Sequence, residues 1–148
     1  MITRPPSVAG TFYPGDKKEL LADIQSYLDE AGDSGAGDAA GIVVPHAGYV
    51  YSGLTAAHAY RILTDHAYEK VTVLAPSHFE TFEGLSVYSG DALATPLGEV
   101  EVSVEDRDRL VNYEGVVASE LGYRQEHSLE VQLPFLQHAV KPGWKIIP

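Results

Sequence analysis

The sequence contains no cysteine, one tryptophan and one methionine. Without cysteine these residues offer neither a disulfide framework nor a thiolate ligand, which leaves histidine, aspartate and glutamate as candidate metal ligands. There is also no run near the ~20 apolar residues that cross a bilayer, and the first residues lack the apolar core of a signal peptide. We therefore expect a cytoplasmic protein with no membrane partner.

Basic residues are scarce as well. The chain has 10 Lys plus Arg against 21 Asp plus Glu, a formal net charge of -11. Such a surface repels phosphate backbones and anionic lipids, which argues against a nucleic-acid partner. Neither a glycine-rich phosphate loop nor a G-x-S-x-G nucleophile elbow is present, so a nucleotide enzyme and a serine hydrolase are disfavoured.

Length and patterning predict one α/β domain. The 148 residues are 45% hydrophobic, enough for a single core. Apolar residues at helical spacing predict an amphipathic helix over residues 17–31, capped by Asp16, and the Gly/Asp/Ser/Ala stretch 32–41 predicts a surface loop. Short β-branched runs at 42–44 and 71–75, each closed by a proline, predict buried strands on either side of a helix with a small-residue face. Strand, helix and strand in succession build a parallel sheet.

Weaker signals complete the predicted fold, a mostly parallel central sheet flanked by helices. They indicate strands at 85–88 and 100–102, a helix from Ser103 to about Tyr113, a helix over 129–140 that Pro134 kinks or delays, and a last strand at 144–147. Because the sequence closes on this apolar strand, we expect residues 1–148 to be the N-terminal portion of a longer single-domain protein.

Two histidines follow predicted strands in the same way. His46 comes directly after Pro45, and His78 comes two residues after Pro76. Ligands of parallel sheets bind beyond the carboxyl ends of the strands, and two neutral imidazoles there can hold Fe, Zn or Cu. We interpret His46 and His78 as parts of one functional site, either as metal ligands or, without metal, as a general base and an electrophile.

A third histidine, His127, stands at the predicted start of the last helix. An imidazole beside a helix N-terminus is biased towards its neutral form and can accept a proton. Capping of that helix by Glu126 and Ser128 is an equally good account of this segment.

Five ordered motifs resemble one known family. They are residues 4–14 (RPPSVAGTFYP), 45–49 (PHAGY), 75–78 (APSH), 95–98 (TPLG) and 126–130 (EHSLE). In order and spacing they are similar to the Memo family, whose prokaryotic members are called AmmeMemoRadiSam system protein B. One departure is Phe79, which stands where many relatives carry a second histidine after the Pro-Ser-His motif.

The resemblance implies a fold related to the class III extradiol dioxygenases, whose non-haem iron opens catechol rings. It implies that His46 and His78 are metal ligands, that His127 lines the same cleft, and that a third ligand, a cysteine, lies beyond Pro148. It further implies a divalent metal, with iron first and copper or zinc as alternatives. Prokaryotic members are named for an association with AMMECR-type and radical SAM proteins.

Two functions therefore compete, together with a weaker zinc-hydrolase alternative. One is a metal-dependent, dioxygenase-like oxidoreductase in which His127 is the acid/base residue. The other is a module that captures a peptide or small ligand in the same cleft without turnover.

Overall fold

The computed structural model describes residues 1–33, 35, 37 and 39–148, so Ser34, Ala36 and Asp38 of the predicted 32–41 loop lie outside the described residues. It confirms the α/β class. The helices are α1 (Lys17–Ala31), α2 (Tyr49–Tyr60), α3 (Val104–Leu110) and α4 (Leu133–Ala139), with 3-10 turns at Arg61–Leu63 and Glu130–Gln132. The strands are β1 (Thr3–Arg4), β2 (Lys70–Thr72), β3 (Leu85–Tyr88), β4 (Ala92–Thr95), β5 (Gly98–Glu101), β6 (Val116–Ser119) and β7 (Lys145–Ile147).

The described strands form three small sheets, ordered β1-β4-β5, β2-β7 and β3-β6. Three of these pairings are parallel, β1 with β4, β2 with β7 and β3 with β6, and only β4 with β5 is antiparallel. A single bridge between Val102 and Ile146 connects the first sheet to the second. Parallel pairs outnumber antiparallel ones, but one central sheet does not form among the described residues, so the predicted mostly parallel central sheet is not confirmed.

Two predicted strands differ from the structure. Residues 42–44 form no strand: they make no ladder with another described segment, and Val43 is 98% exposed. The strand predicted over 71–75 is β2, which runs over Lys70–Thr72 beside β7, and the N–H of the next residue, Val73, donates to the carbonyl of Ile147 at 3.0 Å. An apolar run predicts burial, but a strand also requires a partner for its backbone groups.

The first two helices confirm their sequence patterns. The Asp16 side chain accepts the backbone N–H groups of Lys18 and Glu19 and so caps α1, as predicted. Gly53 explains the small-residue face of α2, because a Cβ there would lie 2.7 Å from the ring carbon Cε2 of Tyr27 on α1. At Gly53 this face therefore packs against α1 and not, as expected, against a sheet.

The last predicted helix begins late. Residues 130–132 form a 3-10 turn, and α4 starts at Leu133 with Pro134 in its first turn, where the missing proline N–H costs nothing. Leu133 belongs to the apolar cluster around β4, β5 and β7, while Phe135 and Leu136 belong to the cluster between α1 and α2. This element therefore joins both halves of the core and fixes where its preceding residues lie.

Among the described residues, none of the helices has the length and apolar character that a membrane span requires.

Candidate metal centre

Three histidines from distant parts of the chain meet in one cleft. The ring centroids lie 5.1 Å apart for His46 and His78, 4.8 Å for His78 and His127, and 6.1 Å for His46 and His127. The rings of His78 and His127 are stacked, with an interplanar angle of 14°. The structure thus brings together the three residues that the sequence singled out, while their roles stay predictions.

Local structure explains how His46 is held. It lies in the short loop between segment 42–44 and α2, whose N-cap is the buried Gly48. The N–H of Tyr49 donates to the carbonyl of Phe12 at 2.7 Å, and the Phe12 ring lies 4.6 Å from the ring of His127. The N-terminal segment therefore contacts both the His46 loop and the His127 segment.

Glu126 organises the other two histidines. Its Oε2 accepts the backbone N–H of His78 at 2.5 Å, and its Oε1 accepts the backbone N–H groups of His127 and Ser128, both at 2.9 Å. The same Oε1 lies 2.9 Å from Nδ1 of the His78 ring. One buried carboxylate thus joins the His78 loop to the His127 segment.

The sequence predicts only a capping role for Glu126 and does not predict its contact with His78. An acid directly before a histidine at a helix start was the available signal.

The electrostatics of this group follow from its contacts. Burial alone would raise the pKa of Glu126, but the backbone and ring N–H of His78 and the donors of Ser128 outweigh it and hold that pKa at about 2. Burial lowers the pKa of His127, and the neighbouring His78 and His46 lower it further, against the opposing effect of Glu126. At neutral pH the site therefore holds an ionised Glu126 beside a neutral His127.

The charge on Glu126 also sets the tautomer of His78. A carboxylate at Nδ1 favours the proton on that nitrogen, which leaves the lone pair of Nε2 free for a ligand. Ligand atoms of His78, Glu126 and His127 all lie within 4.8 Å of one another, so this group can hold a metal ion. Both Glu126 oxygens already accept hydrogen bonds, and the contact of Oε1 with Nδ1 orients the His78 ring.

The cleft above the histidines has apolar walls. It encloses about 640 Å³, and its other lining residues are Thr11, Phe12, Pro45, Ala47, Gly48, Val50 and Tyr51. Val50 and Tyr51 are 82% and 87% exposed at its rim. Away from the cleft, His58 is an exposed residue of α2, and the Nε2 of His138 lies 2.9 Å from Oε1 of Gln25.

Comparison with known proteins identifies the family. The model of the family described as "Memo-like protein" matches residues 4–148. Proteins named "MEMO1 family protein" from Aquifex aeolicus and Aeropyrum pernix are 44% and 39% identical to this chain over all of its residues. The chain spans 54% and 57% of their respective lengths, about half of each. The resemblance read from the five motifs is confirmed: the chain belongs to the Memo-like protein family.

Proposed function

We propose that the cleft of His46, His78 and His127 binds a divalent metal and supports a dioxygenase-like oxidoreductase reaction. The observation that carries this proposal is the convergence of three imidazoles from separate segments in one cleft, with ring centroids 4.8 to 6.1 Å apart. Neutral imidazole suits iron, copper and zinc, and iron is the first choice for oxygen chemistry.

The residues present fit such a metal. In metal sites a ligating histidine donates its second ring N–H to a carboxylate, which fixes the tautomer and the orientation of the ring. His78 and Glu126 have this arrangement, with 2.9 Å between Nδ1 and Oε1. His46 and His78 are the proposed ligands, and the family resemblance adds a cysteine beyond Pro148 as the third.

The chain's own residues would do the following. His46 and His78 hold the metal, which when bound supplies Lewis-acid and oxygen chemistry. His127 accepts or returns a proton as the acid/base residue, since its lowered pKa keeps the ring neutral at pH 7. An extradiol-dioxygenase-like fold is part of the same proposal, supported by the parallel pairing of β2 with β7 and of β3 with β6.

Metal content tests the ligand assignment. We expect His46→Ala and His78→Ala to lower the affinity for Fe²⁺ or Zn²⁺ by at least ~10-fold, because each removes a nitrogen ligand. The matched control is His58→Ala, which removes an exposed histidine on α2 and leaves the cleft unchanged. Metal analysis of the purified proteins measures the outcome, and equal occupancy in the two cleft variants and the control would contradict the assignment.

Ligand capture without turnover is the second candidate, and the exposed apolar rim favours it. The ring centroid of Phe79, which is 61% exposed, lies 6.3 Å from that of His127, and the exposed Tyr51 lies in the first turn of α2. Such side chains suit a small aromatic molecule or a peptide, and the AMMECR-type and radical SAM proteins are partners proposed from the resemblance. Binding that survives chelation by EDTA would support this candidate over the enzyme.

Oxygen uptake tests turnover itself. The iron-loaded protein is mixed with catechols and related phenols, and the oxygen concentration is followed. We expect consumption with at least one phenol, loss of that consumption in His46→Ala, and a lower rate in His127→Ala with metal still bound. Metal binding without uptake in this screen would favour the capture function.

A further inference from the structure

Two buried polar side chains connect the three histidine segments from beneath. The Gln132 side chain, 6% exposed, donates from Nε2 to the carbonyl of Pro45 at 3.1 Å and to the carbonyl of Ser128 at 3.3 Å. Pro45 directly precedes His46, and Ser128 directly follows His127. One amide group therefore links the His46 loop to the His127 segment.

Ser128 continues the connection to the third segment. Its hydroxyl, in a residue only 1% exposed, donates to the carbonyl of Pro76 at 2.7 Å. Pro76 stands two residues before His78. We call this chain of contacts, from the Pro45 carbonyl through Gln132 and Ser128 to the Pro76 carbonyl, the Gln132–Ser128 bridge.

Both polar atoms of the Gln132 amide form hydrogen bonds. Its Oε1 accepts the hydroxyl of Tyr60 at 2.8 Å, so both polar atoms have partners in an otherwise apolar region beside Phe135 and Leu136. A buried amide stabilises a fold little more than an apolar residue of the same shape, but it specifies the spacing of the groups that it joins. The groups joined here are the backbones that carry the histidines.

We propose that Gln132 and Ser128 are positioning residues that set the separation of the His46, His78 and His127 rings. This inference deepens the proposed function, on which it rests for its metal readout. Outer hydrogen-bond partners of metal sites typically influence affinity by about 10–100-fold. Gln132 reaches the site only through backbone carbonyls, so its removal is expected to shift the rings without removing a ligand.

The experiment compares two glutamines of neighbouring turns. Gln132→Met keeps the length of the side chain and removes its hydrogen bonds. The matched control is Gln137→Met on α4, where Gln137 accepts the Thr95 hydroxyl at 2.6 Å and donates to the Gly98 carbonyl at 3.1 Å, so these hydrogen bonds involve none of the three histidine segments. Each variant is made in the full-length protein, which includes the third ligand proposed beyond Pro148. Zn²⁺ affinity is measured by competition titration, and the imidazole ¹H–¹⁵N resonances are recorded without metal.

We expect Gln132→Met to weaken Zn²⁺ binding by at least ~10-fold and to shift the metal-free ring resonances of His46 and His127, whereas Gln137→Met changes neither. Ser128→Ala, a smaller change that keeps the Gln132 contact with Pro45, should shift His78 most. Unchanged ring resonances in both Gln132→Met and Ser128→Ala would overturn the inference, as would equal shifts in Gln137→Met. If the unsubstituted protein binds no Zn²⁺ but Gln132→Met still shifts the ring resonances, the proposed metal-dependent function is contradicted. The positioning role of the Gln132–Ser128 bridge is then still supported.

Discussion

A single carboxylate accounts for much of the local order around the histidines. Glu126 is 6% exposed, and four nitrogen atoms from three residues surround its two oxygens. A buried charge is tolerated only when hydrogen-bond donors replace the water that it loses. Replacing this charge should therefore loosen the His78 loop and the His127 segment together.

The lowered pKa of Glu126 makes its contribution to folding depend on pH. Because that pKa falls from 4.5 to about 2 on folding, the stabilisation is complete above pH 4.5 and is lost as the pH drops towards 2. At about 1.4 kcal/mol per pKa unit, we expect Glu126→Gln to cost about 3 kcal/mol in free energy of unfolding at pH 6.

Urea unfolding at several pH values measures this effect. The difference between the unsubstituted chain and Glu126→Gln should shrink as the pH is lowered from 4.5 to 2. The exposed Glu114→Gln serves as control and should show a much smaller difference at pH 6. A Glu126→Gln difference that stays constant across this range would contradict the assignment.

At the residue scale, the sequence predicted which histidines form the site but not which residues hold them in place. His46 and His78 were recognisable because each follows a proline at the end of an apolar run, a local pattern. The partner of Glu126 lies 48 residues away in sequence. Its contact with His78 depends on how two loops are placed by tertiary packing, which no local pattern records.

Among the elements, the N-terminal segment and the turn before α4 are joined by a buried ion pair. Arg4 donates from Nη1 to Oε2 of Glu130 at 2.7 Å, and the side chains are 8% and 0% exposed. Glu130 also accepts the backbone N–H groups of Ser7 and Val8 and the hydroxyl of Tyr13. The N-terminal segment is thereby fixed against the turn that carries Gln132.

Breaking this pair on one side should be costly. Glu130→Gln leaves the Arg4 charge buried without its counter-charge, and we expect a loss of about 3–5 kcal/mol in free energy of unfolding. Arg4→Met with Glu130→Gln should cost less than the sum of the single changes, because the unpaired charge is gone. Chemical denaturation of the four proteins completes the cycle, and strictly additive losses would rule out the coupling.

Local sequence patterns predicted helix α1 but not all of the strands. The helix over 17–31 was predicted with its bounds because the Asp16 cap and the buried positions Leu20, Ile24 and Leu28 are all local signals. Strands β4 and β6 were not predicted, and 42–44 was wrongly predicted as one. A strand exists only with its partners: besides the adjacent β5, β4 pairs with β1, almost 90 residues earlier, as in the pairing of Arg4 with Leu93, and β6 pairs with the distant β3.

For the whole molecule, α4 is the element that unites the core, with Leu133 in one apolar cluster and Phe135 and Leu136 in the other. The single domain expected from length stays a prediction. Because the turn before α4 also carries the Gln132–Ser128 bridge, the geometry of the site and the packing of the core are coupled. Ligand binding in the cleft should then stabilise the whole chain.

That coupling predicts a metal-dependent melting temperature. A metal that binds only the folded state at 100 times its dissociation constant adds about 2.7 kcal/mol, which for a chain of this size raises the melting temperature by about 5–10 °C. We expect Zn²⁺ to produce this shift in the unsubstituted chain and in His58→Ala, with reversal by EDTA. The double variant His46→Ala with His78→Ala should melt at the same temperature with and without Zn²⁺, since it retains only His127 of the three rings. An equal Zn²⁺ shift in that variant would place the metal elsewhere and remove the basis for a centre at the three histidines.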